Sequence, residues 1–161
     1  MPAVVHFPKS AQWPHYLGAV VDIALTARGV HVVPGCQGDV PSLPHPLGSG
    51  RTIHIVTAFN PGGREAGVRA NLRAQEELLR IVARRGLRWW PAVGRDPAGA
   101  HAEISVALTG LSDTQVRSLG RRFGQDAVFA WSSASWRLLA CEDAVPDVVV
   151  GGWHASDRVR R

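Results

Sequence analysis

The stretch TAFNPGGREAGVRANLRAQ, residues 57–75, decides how the chain is read. It follows an apolar run, Ile53-His-Ile-Val-Thr-Ala-Phe59, whose composition predicts a strand. Asn60-Pro61-Gly62-Gly63 stops that strand, and the residues from Arg64 to Arg85 carry the spacing of a long helix. A strand that feeds a helix through a Gly-Gly turn leaves backbone N–H groups unpaired at the helix start. Such a turn is either punctuation or a place for a carboxylate or phosphate. At about 100° per residue, Val68, Leu72, Leu79 and Val82 define an apolar face. Asn71 and Gln75 fall inside it, at the end nearest the turn. Buried amides are costly without partners, so these two either stitch the helix to the sheet or line a pocket.

Working outward, the upstream half predicts a hairpin from Tyr16–Leu25 and Gly29–Val33, with a short helix over 16–27 as the alternative. Residues 1–15 are rich in Pro and His and are expected to wrap the surface. Pro34 to Gly50 holds four prolines and four glycines, which demands a long loop. Downstream, Gly86 is placed to end the helix. Leu87–Val93 reads as a strand closed by the turn Gly94–Gly99. His101–Leu108 alternates, with Ala102, Ile104, Val106 and Leu108 on one side and His101, Glu103, Ser105 and Ala107 on the other. Ser112-Asp-Thr-Gln115 is a capping box for a second helix ending near Arg122. Ala127–Trp131 and Trp136–Cys141 form a hairpin, and Val145–Val150 an edge strand.

The expected class is α+β in one domain of 161 residues. It comprises an N-terminal hairpin and loop (1–50), a ferredoxin-like β-α-β-β-α-β core (51–141) and a C-terminal extension (142–161). Both helices should lie on one face of a largely antiparallel sheet.

Hydrophobic residues make up 45% of the chain and charged residues 19%, which excludes a disordered polymer. Lys and Arg number 18 against 13 acids, and all but Lys9 are arginine. Arginine suits bidentate phosphate or carboxylate contacts, and an Arg-, Ala- and Gly-rich composition is also what a GC-rich genome produces. Cys36 and Cys141 form no disulfide framework. No signal peptide or membrane-length apolar run is visible, so a cytoplasmic setting is expected.

Several chemistries fail on spacing. Gly62-x4-Gly67 is followed by Val68-Arg69 in place of Lys-Ser/Thr, so it is no phosphate loop. His101-Ala-Glu103 lacks the Pro-Cys-x-x-Cys of zinc deaminases. Seven scattered histidines show no metal-ligand spacing, and no cofactor is implied. Ser132, Ser133 and Ser135 sit in a turn with no nucleophile elbow. Four features remain. Asn60-Pro-Gly-Gly63 with Arg64 is an anion site at the helix start or an Asn-capped turn. Glu103 is a general base on a strand or a surface carboxylate paired to arginine. Gln125 reads a ligand's edge or bonds backbone at a crossover. Arg84, Arg85, Arg88, Arg121 and Arg122, with Trp89, Trp90 and Trp131, suit single-stranded RNA, although no ribonucleoprotein motif is present.

Thr57-Ala-Phe-Asn-Pro61, Asn71, Gly94, Glu103 and Phe123-Gly-Gln125-x-Ala127 together resemble a family of small bacterial proteins catalogued as domain of unknown function 3293. The likeness spans about residues 50–131, and the pairing of the two motif halves carries it. The resemblance implies that Asn60, Asn71, Glu103 and Gln125 occupy the family's polar signature positions. It implies no activity. The chain departs at Ala102, where a bulky aromatic is expected before the glutamate, and in the loop 34–50. The function expected is a pocket protein for a small polar or anionic ligand. Glu103 would be the catalytic group if there is acid–base chemistry, and Asn60, Arg64, Asn71 and Gln125 would be the binding residues. The alternatives are an RNA-binding module and a protein-interaction domain.

Overall fold

The computed structural model describes residues 16, 18–25, 28–35, 51–132, 135–142 and 147–158. Eight strands and two helices follow in the order β1 (Val20–Ala24), β2 (Gly29–Gly35), β3 (Ile53–Thr57), α1 (Val68–Arg84), β4 (Arg88–Arg95), β5 (Ala102–Thr109), α2 (Asp113–Arg122), β6 (Ala127–Trp131), β7 (Trp136–Ala140) and β8 (Val148–Arg158). A 3₁₀ turn, Pro61–Gly63, precedes α1. The strands close into a barrel in the order β1-β2-β8-β7-β6-β3-β5-β4. All eight pairings are antiparallel, including the closing one that sets Val20 opposite Arg95 and Ile23 opposite Ala92.

The expectation of an open ferredoxin-like α+β sheet is therefore wrong. β3 does lie between β5 and β6, as a split β-α-β unit requires. The sheet nevertheless continues on both sides. The N-terminal hairpin forms, β1 pairing with β2, but it and the C-terminal strand are staves of the wall: β1 also pairs with β4, β2 with β8, and β7 with β8.

The cause is the second face of the central strands. Strand side chains alternate, and here both sets are apolar. Ile53, Ile55, Ala107, Phe129 and Trp131 point inward and join Val21, Ile23, Val30, Val32, Trp136, Leu138 and Trp153 in one core. Val56, Val106, Leu108, Val128, Ala130 and Leu139 point outward and pack against Leu78, Ile81 and Val82 of α1 and Val116 and Leu119 of α2. An open sheet would leave the first set in water. At about 25 cal/mol per Å² of apolar surface, closure is the cheaper solution. An eight-stranded barrel is also about the size that side chains can fill. Phe129 meets Trp136 edge-on at 5.1 Å, and Trp131 stacks on Trp153 at 5.6 Å.

The helices differ from expectation in detail. α1 starts at Val68, with Gly67 as N-cap: the 3₁₀ turn Pro61–Gly63 is followed by a non-helical stretch, 64–67, in which Arg64 and Gly67 are extended. Its buried residues are Asn71, Gln75, Leu78, Ile81 and Val82, while Val68 is 75% exposed. α2 opens with the predicted capping box, with Ser112 and Gln115 bonded reciprocally. Residues 1–15, Cys36 and the rest of the loop 36–50, Ser133, Arg160 and Arg161 lie outside the described residues.

Candidate functional site

The site is built on the turn between β3 and α1. Asn60 has φ 50° and ψ 62°, the left-handed region that asparagine tolerates better than most residues. Its N–H donates to Asn71 Oδ1 (2.9 Å), and its Oδ1 accepts from Ala66 N (3.0 Å) and Asn71 Nδ2 (2.9 Å). One helical turn further on, Gln75 Oε1 accepts from Ala58 N at 3.2 Å. Both amides on the buried face of α1 are thus spent on the backbone and side chain of the turn.

The second motif half closes the same turn from the other side. Gln125 Nε2 donates to Phe59 O (2.9 Å), and Gly62 N donates to Gly124 O (2.7 Å). Gly124 has φ 67°, and a Cβ there would lie 2.8 Å from Pro61 Cβ. This explains why Asn-Pro and Phe-Gly-Gln occur as a pair: the proline ring packs where only glycine leaves room.

Asn60 has one donor left, and it goes to Glu103. Nδ2 donates to Oε1 at 2.9 Å. Glu103 lies on the inward-facing side of β5, in line with Ser105 and Ala107, opposite Gly94 of β4. Its carboxyl is half-buried at the barrel mouth. Burial raises its pKa above the ordinary carboxylate value, and the Asn60 bond and nearby His101 only partly oppose that rise. The mouth opens into a cleft of about 500 Å³. Tyr16, Ile55, Phe59 and Phe129 give it apolar walls, and Thr57, Asn60, Glu103 and Gln125 its polar ones. Tyr16 packs edge-on against Phe129 at 6.2 Å, and burial raises the pKa of its phenol.

Asn60, Asn71, Glu103 and Gln125 therefore line one cavity. Arg64 does not: it is exposed and outside the lining. Arg95, which the sequence did not single out, lines the cleft instead, and its guanidinium donates to Asp22 on β1. Ser105 was within reach of sequence reasoning, because it lies two residues from Glu103 on the same face. Tyr16 carried no such signal.

The arginines tell a mixed story. Arg80, Arg84 and Arg122 reach the carboxylate of Glu77 at 3.3, 3.5 and 3.7 Å. Arg88 lies 5.8 Å over the ring of Trp90. Trp131 is fully buried and offers no platform for a base.

No helix among the described residues is long and apolar enough to cross a membrane. Comparison with curated proteins and with solved structures returns no match. Residues 56–128, from within β3 to the second residue of β6, match the family model described as "Protein of unknown function (DUF3293)", the family that the paired motifs resemble.

Proposed function

We propose that the protein is a cytoplasmic small-molecule pocket protein that takes a small polar ligand into the barrel mouth, with Glu103 as the group that meets it. One observation carries this reading. A half-buried carboxyl with a raised pKa is held by a neutral amide against the wall of a cleft of about 500 Å³. Sites for small molecules are mostly apolar concavities of about 300–1,000 Å³ with a few convergent polar groups. A carboxylate that costs stability where it stands is a functional-site candidate. If the protein is an enzyme, Glu103 is the acid–base group, since a raised pKa brings a carboxyl towards the range where it both takes and returns a proton. Arg64, expected with the Asn60-Pro-Gly-Gly63 turn to place an anionic group, lies outside the lining.

Side-chain amide signals test this directly. Asn60, Asn71 and Gln125 carry NH₂ groups that ¹⁵N-resolved NMR observes. A polar fragment library should shift these three signals, and Glu103→Gln should abolish the shifts. A library whose hits all shift other signals, or shift these equally in the variant, overturns the proposal.

A further inference from the structure

We infer that the ligand of the barrel mouth is an ammonium compound with an apolar body, its nitrogen meeting Glu103 and its body lying against Tyr16, Phe59 and Phe129. This rests on the pocket reading above and assigns the ligand's charge and shape. The protein carries a formal net charge of +5, yet its cleft is acidic. Among the described lining residues, the carboxylates are Glu65, Asp96 and Glu103, and the one guanidinium, Arg95, donates to Asp22. No Lys or Arg pairs with Glu103 among the described residues; its bond to Asn60 comes from a neutral donor. With only the exposed His101 as a cationic neighbour among the described residues, a half-buried carboxylate is expensive. A ligand cation would supply a counter-charge and recover the cost on binding.

The walls point the same way. Three aromatic rings line the same cavity as the carboxyl. Aromatic faces attract cations within about 6 Å of the ring centroid and also bury apolar surface. An anion would meet the opposite: the half-buried Glu103 carboxylate, where like charges are screened less than in open water, with the exposed Glu65 and the solvent-accessible Asp96 elsewhere in the lining.

Three near-isosteric probes separate the possibilities: 2-phenylethylamine, 2-phenylethanol and 3-phenylpropanoate. Each is titrated at up to millimolar concentration into the full chain, with the side-chain amides of Asn60, Asn71 and Gln125 as reporters. The amine should bind more tightly than either relative by about tenfold or more, the size of one charge-assisted contact. Glu103→Gln should remove that advantage, with its folded state verified by an otherwise unchanged spectrum. Glu76→Gln, a change to an exposed carboxylate on α1 outside the cleft lining, should keep it. If the alcohol binds as well as the amine, or the carboxylate binds better, the ammonium assignment is overturned while the pocket reading stands. If none of the three moves the reporters, the ammonium assignment also falls, and the fragment library then decides the pocket reading independently. An amine advantage that persists in Glu103→Gln overturns the assignment of its nitrogen to that carboxyl.

Discussion

Replacing Asn71 by alanine tests whether the turn is held by the helix. Asn71 is 6% exposed. Its side chain makes two bonds of 2.9 Å, to the Asn60 N–H and Asn60 Oδ1, and a longer one of 3.4 Å to Ala66 O. Each good bond contributes about 0.5–1.5 kcal/mol net, and a buried donor left without a partner costs about 1–3 kcal/mol. Alanine keeps the helix and removes both strong bonds, so the loss should be roughly 2 kcal/mol, with 3 kcal/mol as the upper end. For a chain of this size, 1 kcal/mol moves Tm by about 2–4 °C, so Tm should fall by about 4–8 °C. Urea unfolding followed by tryptophan fluorescence, with calorimetry beside it, measures both quantities. Arg69→Ala is the control, because Arg69 is exposed on the same helical turn; it should stay within about 0.5 kcal/mol of the parent. An Asn71→Ala protein as stable as this control would refute the account of the turn. The Asn60 amide proton supplies a second readout, since its exchange should accelerate in Asn71→Ala and not in Arg69→Ala.

Other expectations follow from the same geometry. Glu103→Gln should raise Tm at pH 7. The folded carboxyl has a raised pKa, so its stabilising share is complete below the ordinary value of 4.5 and lost as pH rises through the folded pKa; parent and variant should converge near pH 4, and a variant that is less stable at pH 7 sinks the claim. His54 is fully buried under α2, its Nε2 2.9 Å from Asp113 Oδ1, and burial holds its pKa below 6.5 despite that bond. The unfolded chain then binds more protons, so stability should decline as pH falls below about 6.5, and His54→Leu should flatten that slope whatever its absolute stability. Gly124→Ala meets both a φ of +67° and a 2.8 Å overlap with Pro61, so it should cost at least 1–2 kcal/mol, roughly the left-handed penalty alone; a neutral result in thermal melts would show that Pro61 and Gly124 do not pack as described.

How much of this was legible in the sequence differs from element to element. The α2 capping box was legible because its signal is local: Ser112 and Gln115 satisfy each other without help from the rest of the fold. The convergence of Asn60, Asn71, Glu103 and Gln125 was legible because the two motif halves constrain one turn. Barrel closure was not. In β6 all five residues are buried, yet Ala127, Phe129 and Trp131 serve the barrel interior while Val128 and Ala130 serve the helices. A strand buried on both sides has no polar face to report what covers it. The 11 residues of β8 include Gly151, Gly152, His154 and Asp157, which break any apolar alternation, so its pairing with β2 and β7 is a tertiary fact. The helix phase was misjudged for a related reason. Val68 and Leu72 are apolar but 75% and 43% exposed, whereas the polar Asn71 and Gln75 face the sheet. Hydropathy ranks these four the wrong way round, because the turn beneath α1 presents the N–H groups of Ala58 and Asn60, which Gln75 and Asn71 accept.

Stitching and pocket lining, which the sequence presents as alternatives for these amides, are in fact coupled through Asn60. Three of its polar contacts face the turn and one faces the carboxyl. Two of the three fix the side chain's rotamer and its amide orientation, since Oδ1 must accept from Ala66 N and Asn71 Nδ2. That leaves Nδ2, a donor, directed at Glu103. The carboxyl is therefore held from a rigid turn and not from a mobile surface group, and its Oε1 is occupied before any ligand arrives. Gln125 adds rigidity from the opposite side by bonding Phe59 O, one residue before Asn60. Preorganisation of this kind lowers the entropy that binding must supply, and it costs the fold a half-buried charge that no Lys or Arg pairs with among the described residues. A purely structural glutamate at this place would be under pressure to become a glutamine, which accepts the same bond from Asn60 without the charge. The Glu103→Gln melting curve therefore decides more than stability: a gain in Tm at pH 7 means that the charge is kept for something the fold itself does not need.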